Sequence, residues 1–188
     1  MKKNTLIIIF LIVAIISTSL IVGASNTVKQ QCISLYKKIA YMDAKNSSKS
    51  NNSLNFKDMS DKVVKTSNIA LPIVDIDENC KIIDLNSKFD FIFENNNIAG
   101  LMIYNEEGPI LVGGLTEAVS LYSLYNKILN TYDKDIKLSI VQVGSSRSLM
   151  VNNEDIWISQ LTSQIYEQFK PMTKYSILDV VRKLENGN

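Results

Sequence analysis

The chain has 188 residues, 20 Lys and Arg against 19 Asp and Glu for a formal charge of +1, and no histidine. That balance leaves no basic surplus for nucleic acid, and the missing histidine removes Ser-His-Asp and Cys-His catalysis and the common zinc ligand sets. Cys32 and Cys80 lie too far apart for a Cys-x-x-Cys motif, and two unpaired thiols is a simpler reading than a disulfide.

Leu6 to Gly23 carries no charge. As a helix it reaches about 27 Å, enough for a bilayer core, where only a helix satisfies its own backbone. With Lys2 and Lys3 ahead of it, the segment predicts a single-pass signal anchor over residues 1–24, with the membrane as partner and the rest of the chain outside the cytoplasm. Val22-Gly23-Ala24 leaves open cleavage near Ala24 and secretion. Lys29, Lys37 and Lys38 leave open a cytoplasm-facing domain.

Residues 25–44 are expected to form a stalk helix, with Ile33, Tyr36 and Ala40 near helical spacing. Lys45 to Asn55 is polar and is expected to be a flexible linker. Its Asn46-Ser47-Ser48 and Asn51-Asn52-Ser53 match the glycosylation pattern, as chance allows in such a composition. The folded domain is expected over 56–188. Phe56, Met59, Val63 and Val64 suggest a short helix. Leu71 to Asn86 reads as a hairpin around an acidic turn, and Ser87 to Asn97 as a short helix or loop. Gly100 to Asn105 and Pro109 to Gly113 form a second hairpin about Gly108.

Thr116 to Tyr132 is the clearest helix, with Thr116 as its N-cap. Its apolar and aromatic residues cover about 220° of arc, more than one sheet requires. The excess predicts a second buried side, supplied by a partner subunit or by another helix of the chain. Lys137 to Val143, Ser148 to Val151 and Ile156 to Leu161 read as a three-stranded meander. Thr162 to Phe169 reads as helical up to Pro171, and Ser176 as the cap of a final helix ending at Gly187.

Candidate chemistry is weak. Asp75, Asp77 and Asn79 alternate like the start of a calcium loop, but Cys80 and Asn86 stand where an EF-hand needs Gly and Glu. Glu106-Glu107 and Glu154-Asp155 are acidic turns, without the cleft that acid–base pairs need. Gly113-Gly114 and Gly144 to Arg147 lack the companions of a phosphate loop. No catalytic residue, cofactor site or metal site is assigned.

The order hairpin, long helix, meander from Ile98 to Leu161 resembles the roadblock/dynein-light-chain family. The resemblance is carried by Ala99 to Val112, Thr116 to Tyr132 and Ile136 to Ser159. It implies a non-catalytic scaffold that pairs through its central helix and an adjoining strand. The extra hairpin, Leu71-Pro-Ile-Val-Asp-Ile-Asp-Glu-Asn-Cys-Lys-Ile-Ile-Asp-Leu-Asn, is similar instead to the start of a PAS-like extracytoplasmic sensor. Both imply an α+β fold: here, an N-terminal transmembrane helix followed by a central antiparallel sheet flanked by helices. The expected function is a membrane-tethered interaction module, a homodimer or a binder of another protein, with its interface at Leu121, Tyr122, Leu124, Tyr125, Ile128 and Tyr132. A small-molecule-binding sensor or carrier is the alternative.

Overall fold

The computed structural model describes residues 27–44, 63–132 and 135–187. They form an α+β domain around a nine-stranded sheet. Residues 27–44 are helical and are called α1. The strands are β1 (Val64–Thr66), β2 (Leu71–Ile76), β3 (Ile82–Glu94), β4 (Asn97–Tyr104), β5 (Pro109–Gly113), β6 (Leu138–Val143), β7 (Ser146–Val151), β8 (Asp155–Trp157) and β9 (Lys174–Ser176). Helices α2 (Leu115–Thr131), α3 (Gln160–Ile165) and α4 (Ile177–Asn186) complete the domain.

Two antiparallel meanders make the sheet. Its order is β5-β4-β3-β2-β6-β7-β8-β9, with β1 pairing the end of β3. The meanders meet where β2 and β6 run parallel, with Ile73 beside Ile140 and Val74 beside Val141. The sheet is therefore mostly antiparallel, which corrects the expectation of a wholly antiparallel one. A parallel join needs a long crossover, and α2 lies within it. The tight connections use residues that tolerate positive φ. Asn95 and Asn96 (φ 51° and 66°) turn β3 into β4, and Gly144 (φ 58°) turns β6 into β7.

Side chains on the sheet alternate between its faces. On one face, Phe89, Phe91, Leu101, Ile103, Ile140 and Leu149 meet Ala118, Leu121, Leu124 and Ile128 of α2. The other face has two coverings. Ile92, Met102 and Tyr104 lie under Val28 and Cys32 of α1. Val74, Val141, Val143, Met150 and Ile156 pack with Val180 of α4. Each fully buried large aliphatic side chain contributes about 1.5–3 kcal/mol.

Several expectations are corrected. No transmembrane helix belongs to the described fold: among the described residues, no helix is long and apolar enough to cross a membrane. The expected anchor, Leu6 to Gly23, lies outside the described residues, as do the linker and both glycosylation patterns. The stalk helix does not project. Its Lys29, Lys37 and Lys38 make it polar, and its narrow apolar edge docks on the sheet. Ser87 to Glu94 is strand, not helix or loop, because Phe89 and Phe91 fill one face while the intervening Asp90 points to the other. Of the helix expected near Phe56 to Val64, residues 56–62 lie outside the described residues and Val64 begins β1. Gly114 rather than Thr116 occupies the N-cap of α2, at φ 64°. The third meander strand ends at Trp157, and Ser159 caps α3 by accepting from the Thr162 N–H. Ser176 does cap the last helix, accepting from the Asp179 N–H. Both cysteines are free thiols.

Candidate interaction surface

Helix α2 decides what this fold can present. Leu121, Leu124 and Ile128 are fully buried against the protein's own sheet. They cannot also meet a partner, and the expected interface is corrected on that ground. Tyr122 and Tyr125 are half-buried. Tyr122 packs edge-on against Phe91 at 5.2 Å and Phe93 at 5.5 Å, and Tyr125 lies 6.0 Å from Phe91. Tyr132 packs against Trp157, whose Nε1–H donates to its hydroxyl at 3.3 Å. These three tyrosines brace the edges of the core.

The wide apolar arc of α2 thus divides in two. Its inner part is the core. Its outer part is Leu115, Val119 and Leu129, exposed by 53%, 43% and 44%, with Tyr122 between them. At 100° per residue these four lie within about 80° of one another and form a single stripe, which also includes the half-buried, neutral Asn126. Ser120, on another flank, accepts from the Leu161 N–H and so faces α3.

This outer stripe carries no charge. The two charged residues of α2 are both engaged with the domain itself. Glu117 accepts from Arg147 at 2.9 Å. Lys127 Nζ donates to the Met172 carbonyl at 2.8 Å and lies 5.5 Å from the Trp157 ring centre. The neighbouring exposed positions of the helix are Thr116, Ser123 and Asn130, all neutral.

One residue, Gly114, separates α2 from edge strand β5, so the stripe begins at the sheet edge. β5 reads Pro-Ile-Leu-Val-Gly, again without charge. Leu111 pairs with Ile103, which places it on the α2 side of the sheet. Ile110 and Leu111 are both exposed. Among the described residues, β4 is the only strand that pairs with β5. The opposite edge is guarded: β9 is three residues long and Lys174 pairs with Asp155 at 3.1 Å. Short, charged edges resist strand addition; β5 has no such charge, and its protection is confined to Pro109 and the irregular register beside it, which leaves Ile110 to Gly113 as the part open to pairing.

The polar clusters are internal. Asp90, fully buried, accepts through Oδ1 from the Ser67 hydroxyl and the Ile69 and Ala70 N–H groups, and through Oδ2 from Tyr104 and Lys29. Burial, reinforced by the Asp90 charge, holds the Tyr104 phenol well above its usual range. Ser146, Ser148, Ser159 and Thr162 share a buried hydroxyl network that anchors α3 to β7. Among the described residues, no buried side-chain nitrogen or oxygen lacks a partner, and no three Cys, Asp or Glu side chains are grouped to hold a metal ion. The calcium-like Asp77 instead closes its turn, accepting from the N–H groups of Asn79 and Lys81. Asn105 does the same beside Glu106-Glu107, accepting from Glu107 and Gly108. No protein-family model, curated protein or solved structure matches the chain.

Proposed function

We propose that this protein is a non-catalytic interaction module that pairs with a second copy of itself through the outer stripe of α2 and the free edge of β5. The observation that carries the reading is the uncharged, half-exposed run of Leu115, Val119, Tyr122 and Leu129 beside an uncharged edge strand. A two-fold interface sets each surface against its own copy. A charged stripe would then meet its own sign, while a neutral, largely apolar one meets a compatible surface. Antiparallel pairing of two β5 strands satisfies the same symmetry and their outward backbone groups. This is the pairing that the roadblock resemblance implies, displaced from the inner to the outer face of the helix. The surface belongs to the folded domain and needs no tether.

The test is a symmetric cross-link. Val119→Cys, made with Cys80→Ser, should give an intermolecular disulfide-linked dimer under mild oxidation, because a stripe near a two-fold axis brings the two sulfurs together. Ser163→Cys, in α3, should not. Equal, slow cross-linking at both positions would mean random collision and would remove the reading.

A further inference from the structure

On the opposite face of the sheet, α1 occupies a groove lined by Ile92, Met102, Tyr104 and Val112. Its contacts run along one stripe, Val28, Lys29, Cys32 and Tyr36. Val28 and Cys32 are buried, and no residue of α1 after Cys32 is. Gly100 lies beneath Tyr36: a Cβ there would make ordinary contact with Tyr36 Cε2 at 3.5 Å, while its clash would be with the Gly113 carbonyl oxygen of β5 at 2.9 Å. At the head of the groove Lys29 Nζ reaches Asp90 Oδ2 at 2.9 Å and Asn68 Oδ1 at 3.3 Å, and lies 5.8 Å from the Tyr104 ring centre.

The strand pairing that builds the groove uses no residue of α1. A helix satisfies its own backbone, so α1 leaves no ladder bond behind when it departs. β3 and β4 are paired on both sides by strands. Without Lys29, Asp90 still accepts from Ser67, Ile69, Ala70 and Tyr104. The main core beneath α2 contains no residue of α1. Residues 45–62 intervene between α1 and β1 in sequence.

We propose that this face is a helix-recognition groove, keyed by Asp90 to a cationic side chain, and that α1 is its resident and displaceable ligand. The helix it selects carries a cation beside a small apolar residue, a small side chain one turn on and an aromatic ring one turn further, as α1 does with Val28, Lys29, Cys32 and Tyr36. Apolar contacts supply affinity, and the buried carboxylate rejects helices that bring no positive charge. Occupied in cis, the groove is closed to other helices.

The experiment uses the full chain with Lys29→Glu, which sets a carboxylate against Asp90 and ejects α1. A fluorescent peptide of residues 27–44 should bind this variant. It should bind the unmodified chain at least about tenfold more weakly, because there the tethered copy competes at high effective concentration. The same peptide carrying Lys29→Glu should bind neither. A folded Lys29→Glu chain, judged by Trp157 emission, that does not bind the peptide overturns the proposal. An unfolded one overturns it as well, since α1 would then be an obligatory part of the core. Modification of Cys32 gives an independent reading with Lys29 in place. If α1 detaches on its own, the Cys32 rate, read in a Cys80→Ser chain, rises with urea along a slope shallower than that of global unfolding; a rate that follows global unfolding contradicts detachment.

Discussion

Lys29 Nζ and Asp90 Oδ2 stand 2.9 Å apart across the join between α1 and the sheet, and the two residues are not equivalent. Asp90 is fully buried and has five donors around it, while Lys29 keeps 12% of its side chain exposed. Removing the carboxylate orphans the Ser67 and Tyr104 hydroxyls and the N–H groups of Ile69 and Ala70. Asp90→Ala should therefore destabilise the domain by about 3–5 kcal/mol, as breaking a buried pair does. Lys29→Ala leaves the buried carboxylate without its counter-charge but with four of its donors, and should cost less than Asp90→Ala. Urea denaturation followed by Trp157 fluorescence measures both. Equal losses would contradict the asymmetry.

Thr162 lies at the centre of the hydroxyl network. Its Oγ1 is within 3.0 Å of the Ser146, Ser148 and Ser159 hydroxyls and donates to the Arg147 carbonyl at 2.9 Å. Thr162→Val keeps the shape and removes these bonds inside a buried site, so it should cost about 1–3 kcal/mol. Ser163→Ala, one position on, removes one exposed bond to the Gln160 carbonyl and should stay within about 0.5 kcal/mol. Thermal or chemical denaturation compares the two.

Burial pushes the Cys32 thiol up from 9.0 to about 11, and the Asp90 charge pushes it the same way. The raised value means that the folded state holds this proton at pH values where the unfolded state releases it. Stability is therefore intact below about pH 9 and falls as pH rises from there to about 11. Tyr104, raised for the same reasons, adds to the fall. Cys32→Ala should reduce the slope of stability against pH in that window. An unchanged slope would mean that the thiol is exposed to water.

Local patterns made much of this fold legible. Both hairpins, the central helix, the meander and the Ser176 cap follow from side-chain periodicity and turn residues. Ser87 to Glu94 does not read locally as a strand, although Phe89 and Phe91 alternate as in one. The acidic residue between them argues for a loop until its partners are known. Those partners, Lys29, Ser67 and Tyr104, come from three separate segments, and no local pattern joins them. The parallel join of β2 to β6 is hidden for the same reason. The 220° arc of α2 is wider than the face its own sheet covers, and Leu115, Val119 and Leu129 stay exposed. It could not say which side was inner, because Leu121 and Val119 look alike until the sheet is placed.

That distinction yields a paired prediction. Leu121 is fully buried in the core and Val119 is 43% exposed on the outer stripe. Leu121→Asp places a carboxylate in the core and should unfold the domain. Val119→Asp should leave its thermal midpoint within a few degrees of the unmodified chain. Circular dichroism melts separate the two. Loss of structure in both would mean that the outer stripe is also core.

Sedimentation equilibrium over a wide concentration range tests self-pairing most directly. The unmodified chain should fit a reversible monomer–dimer equilibrium, and folded Val119→Asp should remain monomeric at the same concentrations. A monomer at every concentration for the unmodified chain, or a dimer undisturbed by Val119→Asp, would contradict the account.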